Sequence, residues 1–378
     1  MPGVSRVILA LLLPVAAFGA VQPLFNGKDL AGWQQQGPHP SFTSTAGEIR
    51  TTGRGHAGNW IHTEQEFENF RLRFEYKLNQ WAEAAVLLRA ARSDRPQHTG
   101  VAIVLAHDFH NETTPFITGA VMGVLPPRKA LPASFQVWHS VVVELRGDSL
   151  MVTIDGDSMQ EVDMSTVPAV RHRLRKGVIG FPDMGHGYAL RNLTIEELAG
   201  RSEFVELLAG LDGTESSALG LKAWGRRGDS GQWRVHGGVL EGMNGHSILY
   251  APPAFRDFEL TAVVRSHDRV NAGIFLRGQP AGANRGFEVQ IYSPVDAVYQ
   301  TGSIYGRARS SLSADLEEQW FLLQILVEGA RCTVWVNGEQ VAEYDKLPAE
   351  LRGAGRIGVQ IHMEDTRVEV RDLRVRPL

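Results

Sequence analysis

The stretch CTVWVNGEQVAEY, residues 332–344, decides the fold class of this chain. Apolar and polar residues alternate along it, and a period of two is that of a β-strand with one buried face. The Asn-Gly pair at 337–338 divides the stretch, and Asn-Gly is a preferred type I′ turn of a β-hairpin. VTIDG at 152–156 gives the same signal with Asp-Gly at 155–156. Both stretches therefore predict hairpins.

The rest of the chain extends this pattern. The chain has 378 residues, of which 40 are glycines. Hydrophobic residues make up 43% of the chain and charged residues 21%, which is an ordinary globular composition. Short apolar runs with frequent turns and little helical periodicity predict antiparallel β-sandwiches. Each sandwich should have two curved sheets around one core, with any ligand on the concave face. A net charge of -4 gives no reason to expect nucleic acid as a partner.

Two copies of one pattern make up the chain. FENFRLRFEY at 67–76 matches FRDFELTAVV at 255–264, and AAVLLR at 84–89 matches AGIFLR at 272–277. Further pairs follow in the same order: TGAVMG (118–123) with TGSIYG (301–306), Trp138 with Trp320, VTIDG (152–156) with VWVNG (334–338), GVIGF (177–181) with GRIGV (355–359), and LRNLTI (190–195) with VRDLRV (370–375). This internal repeat predicts two tandem domains, at 23–198 and 203–378.

The first 19 residues have the pattern of a signal peptide. Arg6 precedes a short apolar run at 7–18, and a small residue stands on each side of Phe18. An uncleaved anchor is the alternative. We expect a periplasmic or secreted protein that does not stay inserted in a membrane.

The two copies differ on one strand face. GFEVQI at 286–291 places Glu288 and Gln290 on the face opposite its apolar residues, whereas GVAIVL at 100–105 has alanine and valine there. Alternation gives further candidates on shared faces: Asn271 with Arg277, Tyr305 with Thr301 and Ser303, and Gln360 with His362 and Glu364. We therefore expect the second domain to carry the function, and the first to be structural or to pack its apolar face on something.

Several stretches together resemble one known family. They are LFNGKDLAGW from Leu24, WRVHGGVLEG from Trp233, DFEL from Asp257, NAGIFLR from Asn271, GFEVQI from Gly286, TGSIYG, VNG, and IGVQIH from Ile357. The family was first catalogued as a domain of unknown function and is now called 3-keto-disaccharide hydrolase, or 3-keto-glucoside lyase/hydratase. The resemblance covers nearly all of the chain after the signal segment, and the first copy departs from it at polar positions.

The resemblance implies a fold, an export route and a chemistry. Members have a concanavalin A-like (laminarinase-like) jelly roll, and many are exported bacterial proteins. In a sugar oxidised at carbon 3, the ketone acidifies the C2 proton. A base removes that proton, the aglycone leaves carbon 1 by β-elimination, and addition of water completes a net hydrolysis. Such a site needs a base, an enolate stabiliser and an acid.

The candidate residues can be assigned to these roles. Glu288 or His362 would be the base, and Arg277 or Tyr305 would hold the enolate. Three amides would bind sugar hydroxyls: Asn271, Gln290 and Gln360. A divalent cation held by Glu288 and His362 could also polarise the ketone, although no metal motif of known spacing is present.

Other interpretations stay open. Arg277 could close a strand end against a carboxylate, as matching Arg89 would, and Glu288 could lie on a solvated outer face. His362 could be structural and Tyr305 a cross-strand aromatic. The whole chain could be a non-catalytic carbohydrate-binding protein on the same fold. A histidine-rich stretch of the first copy could be a metal site or exposed loop: His107, Asp108 and His110.

Overall fold

The structure is a computed structural model that describes residues 19–51, 53, 58–106, 112–132, 134–200, 202–211, 213, 221–267, 270–294 and 297–378. All but the last residue of the expected signal peptide lies outside this part, as does the histidine-rich stretch at 107–110. None of the helices in the described ranges is long and apolar enough to cross a membrane. They are single 3-10 turns: Pro96–His98, Met164–Thr166, Leu221–Ala223 and Ala349–Leu351.

The first copy folds into two antiparallel sheets. Its strands, as far as the chain is described, are β1 (Val21–Pro23), β2 (Trp33–Gln36), β3 (Phe42–Thr45), β4 (Glu48–Thr51), β5 (Trp60–Thr63), β6 (Phe70–Leu78), β7 (Glu83–Ala90), β8 (Val101–Ala106), β9 (Trp138–Arg146), β10 (Ser149–Ile154), β11 (Asp157–Asp163), β12 (Val178–Pro182) and β13 (Tyr188–Glu197). One sheet has the order β11-β10-β9-β6-β13-β4-β3, with β1 on β13, and the other has the order β2-β5-β12-β7-β8.

The second copy repeats this arrangement. Its strands in the described ranges are β14 (Val205–Glu206), β15 (Gly225–Arg227), β16 (Gln232–His236), β17 (Val239–Phe255), β18 (Phe258–Ser266), β19 (Asn271–Gly278), β20 (Phe287–Tyr292), β21 (Trp320–Glu328), β22 (Arg331–Val336), β23 (Glu339–Tyr344) and β24 (Gly355–Pro377). The order β23-β22-β21-β18-β24-β17-β16 matches the first sheet of the first copy. The order β15-β17-β24-β19-β20 matches its second sheet.

Two long strands distinguish the second copy. β17 replaces the separate strands β4 and β5, and β24 replaces β12 and β13. Each long strand pairs in one sheet with its first half and in the other with its second half, with register shifts between them. The two layers are therefore joined through continuous backbone, and the fold is the predicted tandem pair of jelly-roll β-sandwiches.

Both predicted hairpins are confirmed. Strands β22 and β23 are joined by the Asn-Gly pair, with φ of 47° at Asn337 and 78° at Gly338. Strands β10 and β11 are joined in the same way, with φ of 51° at Asp155 and 87° at Gly156. Positive φ at both central residues defines the type I′ turn, and Asn, Asp and Gly tolerate it best.

Each copy has its own apolar core between its layers. The copies also contact each other through the outer face of β18, β21 and β24. The Asp94 N–H donates to the Trp320 carbonyl oxygen (2.8 Å), and the Trp320 N–H donates to the Asp94 carboxylate (2.7 Å). Arg374 forms ion pairs with Glu66 of the first copy and Glu206.

Candidate active site

One layer of the second copy brings the polar candidates together. In the register of β17, β24, β19 and β20, Gln360 pairs with Gly273, which pairs with Gln290. The neighbouring row runs from Gly358 through Phe275 to Glu288. Because alternate residues of a strand share a face, these rows present their side chains on the side away from the core. Phe287, Val289 and Ile291 point into the core, as expected from the sequence.

This face forms a pocket of about 300 Å³. Six of the seven sequence candidates are among its lining residues, which are Asn271, Phe275, Arg285, Gly286, Phe287, Glu288, Gln290, Tyr305, Arg307, Gln360 and His362. Alternation within strands and the repeat comparison thus selected residues that meet in space. Their chemical roles stay predictions.

Glu288 is the acidic side chain in the pocket lining. Its Oε1 atom is buried and, among the described residues, has no hydrogen-bond partner. Burial raises the pKa of the Glu288 carboxyl to about 7, because an unsolvated carboxylate is disfavoured. A carboxyl group with a pKa near neutrality can accept a proton and release it again at physiological pH.

Gly273 makes room for this carboxyl group. A Cβ atom added at Gly273 would lie 2.2 Å from Glu288 Oε1 and 2.8 Å from its Cγ. The first copy has Ala85 at the position of Gly273 and Ala102 at the position of Glu288. The small residue and the acid therefore occur together in one copy and are both absent from the other.

His362 lies at the exposed end of the pocket, beside a second histidine. The rings of His246 and His362 are 4.6 Å apart in an edge-on arrangement, and the two residues pair across β17 and β24. Burial, His246 and Arg285 together lower the pKa of His362. The imidazole is therefore neutral at pH 7 and can accept a proton.

The remaining candidates form a polar wall. The Gln290 side-chain amide donates to Asn271 Oδ1 (3.2 Å), so the two amides are oriented by each other. Tyr305 is 51% exposed, its backbone N–H donates to the Glu288 carbonyl oxygen (2.9 Å), and its ring is 5.1 Å from that of Tyr299. An aromatic ring and amides on an open face can contact the faces and hydroxyls of a sugar.

Arg277 does not reach the pocket, and its predicted role as enolate stabiliser is corrected. Its side chain is fully buried and forms an ion pair with Asp257 (3.1 Å). It also donates to the carbonyl oxygens of Arg256, Gly329 and Leu351.

A β-bulge explains why alternation failed at this residue. The pairing of β19 with β24 shifts register between Phe275 and Gly278, and Arg277 has a φ of 52°. Arg89 stands in the matching bulge of the first copy with a φ of 51°. A bulge adds a residue to one strand, so the side chains beyond it change face. The alternative interpretation, a strand end closed against a carboxylate, describes Arg277 as it is found.

Two arginines of the pocket were missed in the sequence. Arg285 and Arg307 line the pocket, and Arg307 donates to the carbonyl oxygen of Tyr305 (3.1 Å). Comparison of the two copies could have identified them, because the first copy has Thr99 and Val124 at the matching positions. These guanidinium groups, rather than Arg277, are the arginines available to an anionic group in the pocket.

The pocket offers few ligands for the divalent cation that was considered as an alternative. Among the residues that the structure describes, no group of three or more His, Cys, Asp or Glu could hold a metal ion. Glu288 and His362 would be two ligands beside two guanidinium groups, which repel a cation. These residues do not fit a resident metal.

The matching face of the first copy is apolar and buried. Trp60, Ala85, Leu87 and Ala102 form a small cluster there, each no more than 4% exposed. The Trp60 ring lies over Gly180, whose added Cβ would be 2.6 Å from it. This face is therefore a packed surface, and the role of the first domain stays a prediction.

Solved structures with a similar fold each cover about half of the chain. Two come from Parabacteroides distasonis and are provisionally named glycosyl hydrolases. One has 18% identity and a TM-score of 0.41 over 48% of this chain and 94% of its own, and the other has 22% and 0.42 over 47% and 100%. The carbohydrate binding module CBM66 of Bacillus subtilis has 15% identity and a TM-score of 0.34 over 44% and 96%. No curated protein matches the chain.

A family model gives the classification. The model of the 3-keto-alpha-glucoside-1,2-lyase-like domain matches residues 20–196 and again residues 211–376. The two matches coincide with the two copies of the internal repeat and together cover most of the chain. The chain therefore belongs to the 3-keto-alpha-glucoside-1,2-lyase-like family, with two copies of its domain in tandem.

Proposed function

We propose that the second domain binds a 3-keto-glucoside in the pocket above β19, β20 and β24 and cleaves it by β-elimination. The observation that carries the proposal is half-buried Glu288, whose Oε1 is buried and unpartnered among the described residues and whose pKa burial raises to about 7, in a pocket of sugar size. Family membership supplies the substrate class.

Glu288 acts as the base in this proposal. It takes the C2 proton, and the electron pair passes into the adjacent carbonyl as an enolate. The enolate then expels the aglycone from carbon 1, and the leaving oxygen takes up a proton. A base with a pKa near the working pH is suited to this step because it is both ionised and basic.

The other pocket residues share the remaining roles. Arg285, Arg307 and Tyr305 stabilise the enolate oxygen, because positive charge and hydroxyl donors lower the energy of a developing anion. The leaving oxygen takes up the proton that Glu288 removed from C2, and neutral His362 is the alternative base. Asn271, Gln290 and Gln360 bind the sugar hydroxyls and fix its orientation.

The test is cleavage of a 3-keto-α-glucoside, followed by release of the aglycone. We expect Glu288→Gln to lower the rate by about 100-fold or more, because loss of a general base removes a factor of this size. Glu364→Gln is the matched control, since Glu364 lies further along β24 and is exposed. The assignment is wrong if Glu288→Gln and His362→Ala both retain the wild-type rate.

Calorimetry beside this cleavage assay decides between an enzyme and a binding protein. Amides, a tyrosine and an open face would serve carbohydrate binding without chemistry as well. Wild-type protein that binds the 3-keto sugar in calorimetry but never releases an aglycone would show that the chain is a carbohydrate-binding protein.

A further inference from the structure

Three hydrogen-bonded side chains in the first domain are arranged as in a serine hydrolase. Ser134 Oγ lies 2.6 Å from Nε2 of His139, and Nδ1 of the same ring lies 2.6 Å from Oδ2 of Asp155. A nucleophile, a base and an orienting carboxylate in this order are recognised by geometry rather than by position in the sequence.

The hydrogen-bond pattern fixes the proton positions. Burial raises the pKa of Asp155, but hydrogen bonds from His139 and the Ser140 N–H and hydroxyl together outweigh it and lower that pKa overall. The carboxylate is therefore ionised and can only accept, so the proton of His139 lies on Nδ1. When the imidazole is neutral, Nε2 is then an acceptor and the Ser134 hydroxyl donates to it, which is the arrangement that activates a serine.

A small cavity adjoins the nucleophile. Its volume is about 10 Å³, which is room for about one water-sized sphere. Its lining combines Ser134 and His139 with mostly apolar side chains, among them Tyr76, Leu78, Leu131 and Pro132. A space this small favours a small acyl group such as acetyl over longer chains.

The matching hairpin of the second copy shows which of these residues the turn itself needs. There Asn337 takes the place of Asp155, and its Oδ1 accepts from the Leu322 N–H (2.9 Å) as Asp155 Oδ1 accepts from the Ser140 N–H (2.8 Å). The position of His139 is Phe321, which is buried. The hairpin therefore needs only a side-chain oxygen at this turn, and the histidine and charged carboxylate of the first copy exceed that need.

We propose that the first domain is an acetyl-ester hydrolase with Ser134 as nucleophile, His139 as base and Asp155 as the positioning residue of the imidazole. Ser134 Oγ bonds to the ester carbonyl carbon while its proton moves to His139 Nε2. The bond to the alcohol oxygen then breaks, and the alcohol leaves with that proton. Water repeats the sequence on the acetyl-serine, giving acetate and free Ser134.

The test uses the full chain with p-nitrophenyl acetate and a fluorophosphonate probe, neither of which contains a sugar. We expect hydrolysis above the buffer rate and mass-spectrometric labelling at Ser134. Ser134→Ala should abolish both, and Asp155→Asn should lower the rate by about 100-fold or more. Asp155→Asn should keep the wild-type melting temperature, because Asn337 supports the same turn. Ser158→Ala is the matched control, since Ser158 is an exposed serine of the same hairpin.

Two results would overturn the proposal. One is hydrolysis by Ser134→Ala at the wild-type rate, which would place the activity elsewhere. The other is wild-type protein that neither hydrolyses the ester nor takes the label at Ser134, which would leave the three residues as a tie between a loop and a hairpin. Neither result bears on cleavage of 3-keto-glucosides, which is assayed separately.

Discussion

At the scale of single residues, Glu288 links the pocket to the stability of the fold. Its folded pKa of about 7 lies above that of an ordinary carboxyl group, so the native state holds a proton that the unfolded chain releases between about pH 4.5 and pH 7. Folding is therefore favoured below this window, and the advantage is lost as the pH rises through 7. A buried acid retained at this cost is typical of a functional site.

We expect Glu288→Gln to be more stable than the wild type at pH 8.5 and similar to it at pH 4.5. The gain is at most ~3.5 kcal/mol, since a tenfold change in acidity corresponds to ~1.4 kcal/mol. Urea unfolding at the two pH values measures it, with Glu364→Gln as the exposed control. Equal stability of Glu288→Gln and wild type at pH 8.5 would mean that the carboxylate is solvated.

At the same scale, the sequence was informative where side chains follow simple alternation. Glu288, Gln290 and Tyr305 could be selected because the first copy has apolar residues at their positions. Ser134, His139 and Asp155 could not, because their contact depends on how one loop meets strand β9 and the β10–β11 turn, and no local spacing encodes that.

At the scale of elements, the bulges of β7 and β19 limit what alternation can predict. Each bulge rotates an arginine from the open face into the domain, where it binds carbonyl oxygens of neighbouring turns. Arg89 donates to the carbonyl oxygens of Glu68 and Gly147, as Arg277 does to its own three. The pair is a framework feature of the repeat.

We expect Arg277→Ala and Arg89→Ala each to destabilise the protein by about 3–5 kcal/mol, because buried acceptors lose their charged donor. Chemical denaturation measures both losses. The folded fraction of Arg277→Ala should keep the wild-type rate on a 3-keto-glucoside. A variant with normal stability and no cleavage would instead show that Arg277 takes part in catalysis.

At the scale of the whole molecule, ion pairs join the two domains. Glu66 of the first domain contacts Arg374 of the second, and Arg92 pairs with Asp372. Burial lowers the pKa of Arg374, but Glu66, Asp372 and Glu206 outweigh it and raise that pKa overall. Removing one partner from such a partly buried network of ion pairs leaves a charge without a partner.

We expect Glu66→Gln to lower the thermal midpoint and to separate the unfolding of the two domains in scanning calorimetry, with a loss of about 3 kcal/mol. Glu64→Gln, an exposed acid two residues away, should behave as the wild type. Identical scans for the two variants would show that the ion pairs of Glu66 contribute nothing to holding the domains together.

The length of β24 has a consequence for the lifetime of the pocket. Gln360 and His362 lie in its first half, and Arg371 and Arg374, which contact the first domain, lie in its second half. The strand passes from one layer to the other without a break, so a local opening that frees it dismantles the pocket wall and the domain contact in one event. The first domain thereby helps to hold the pocket of the second domain in place, and the lifetime of the pocket depends on a surface on the far side of the sandwich.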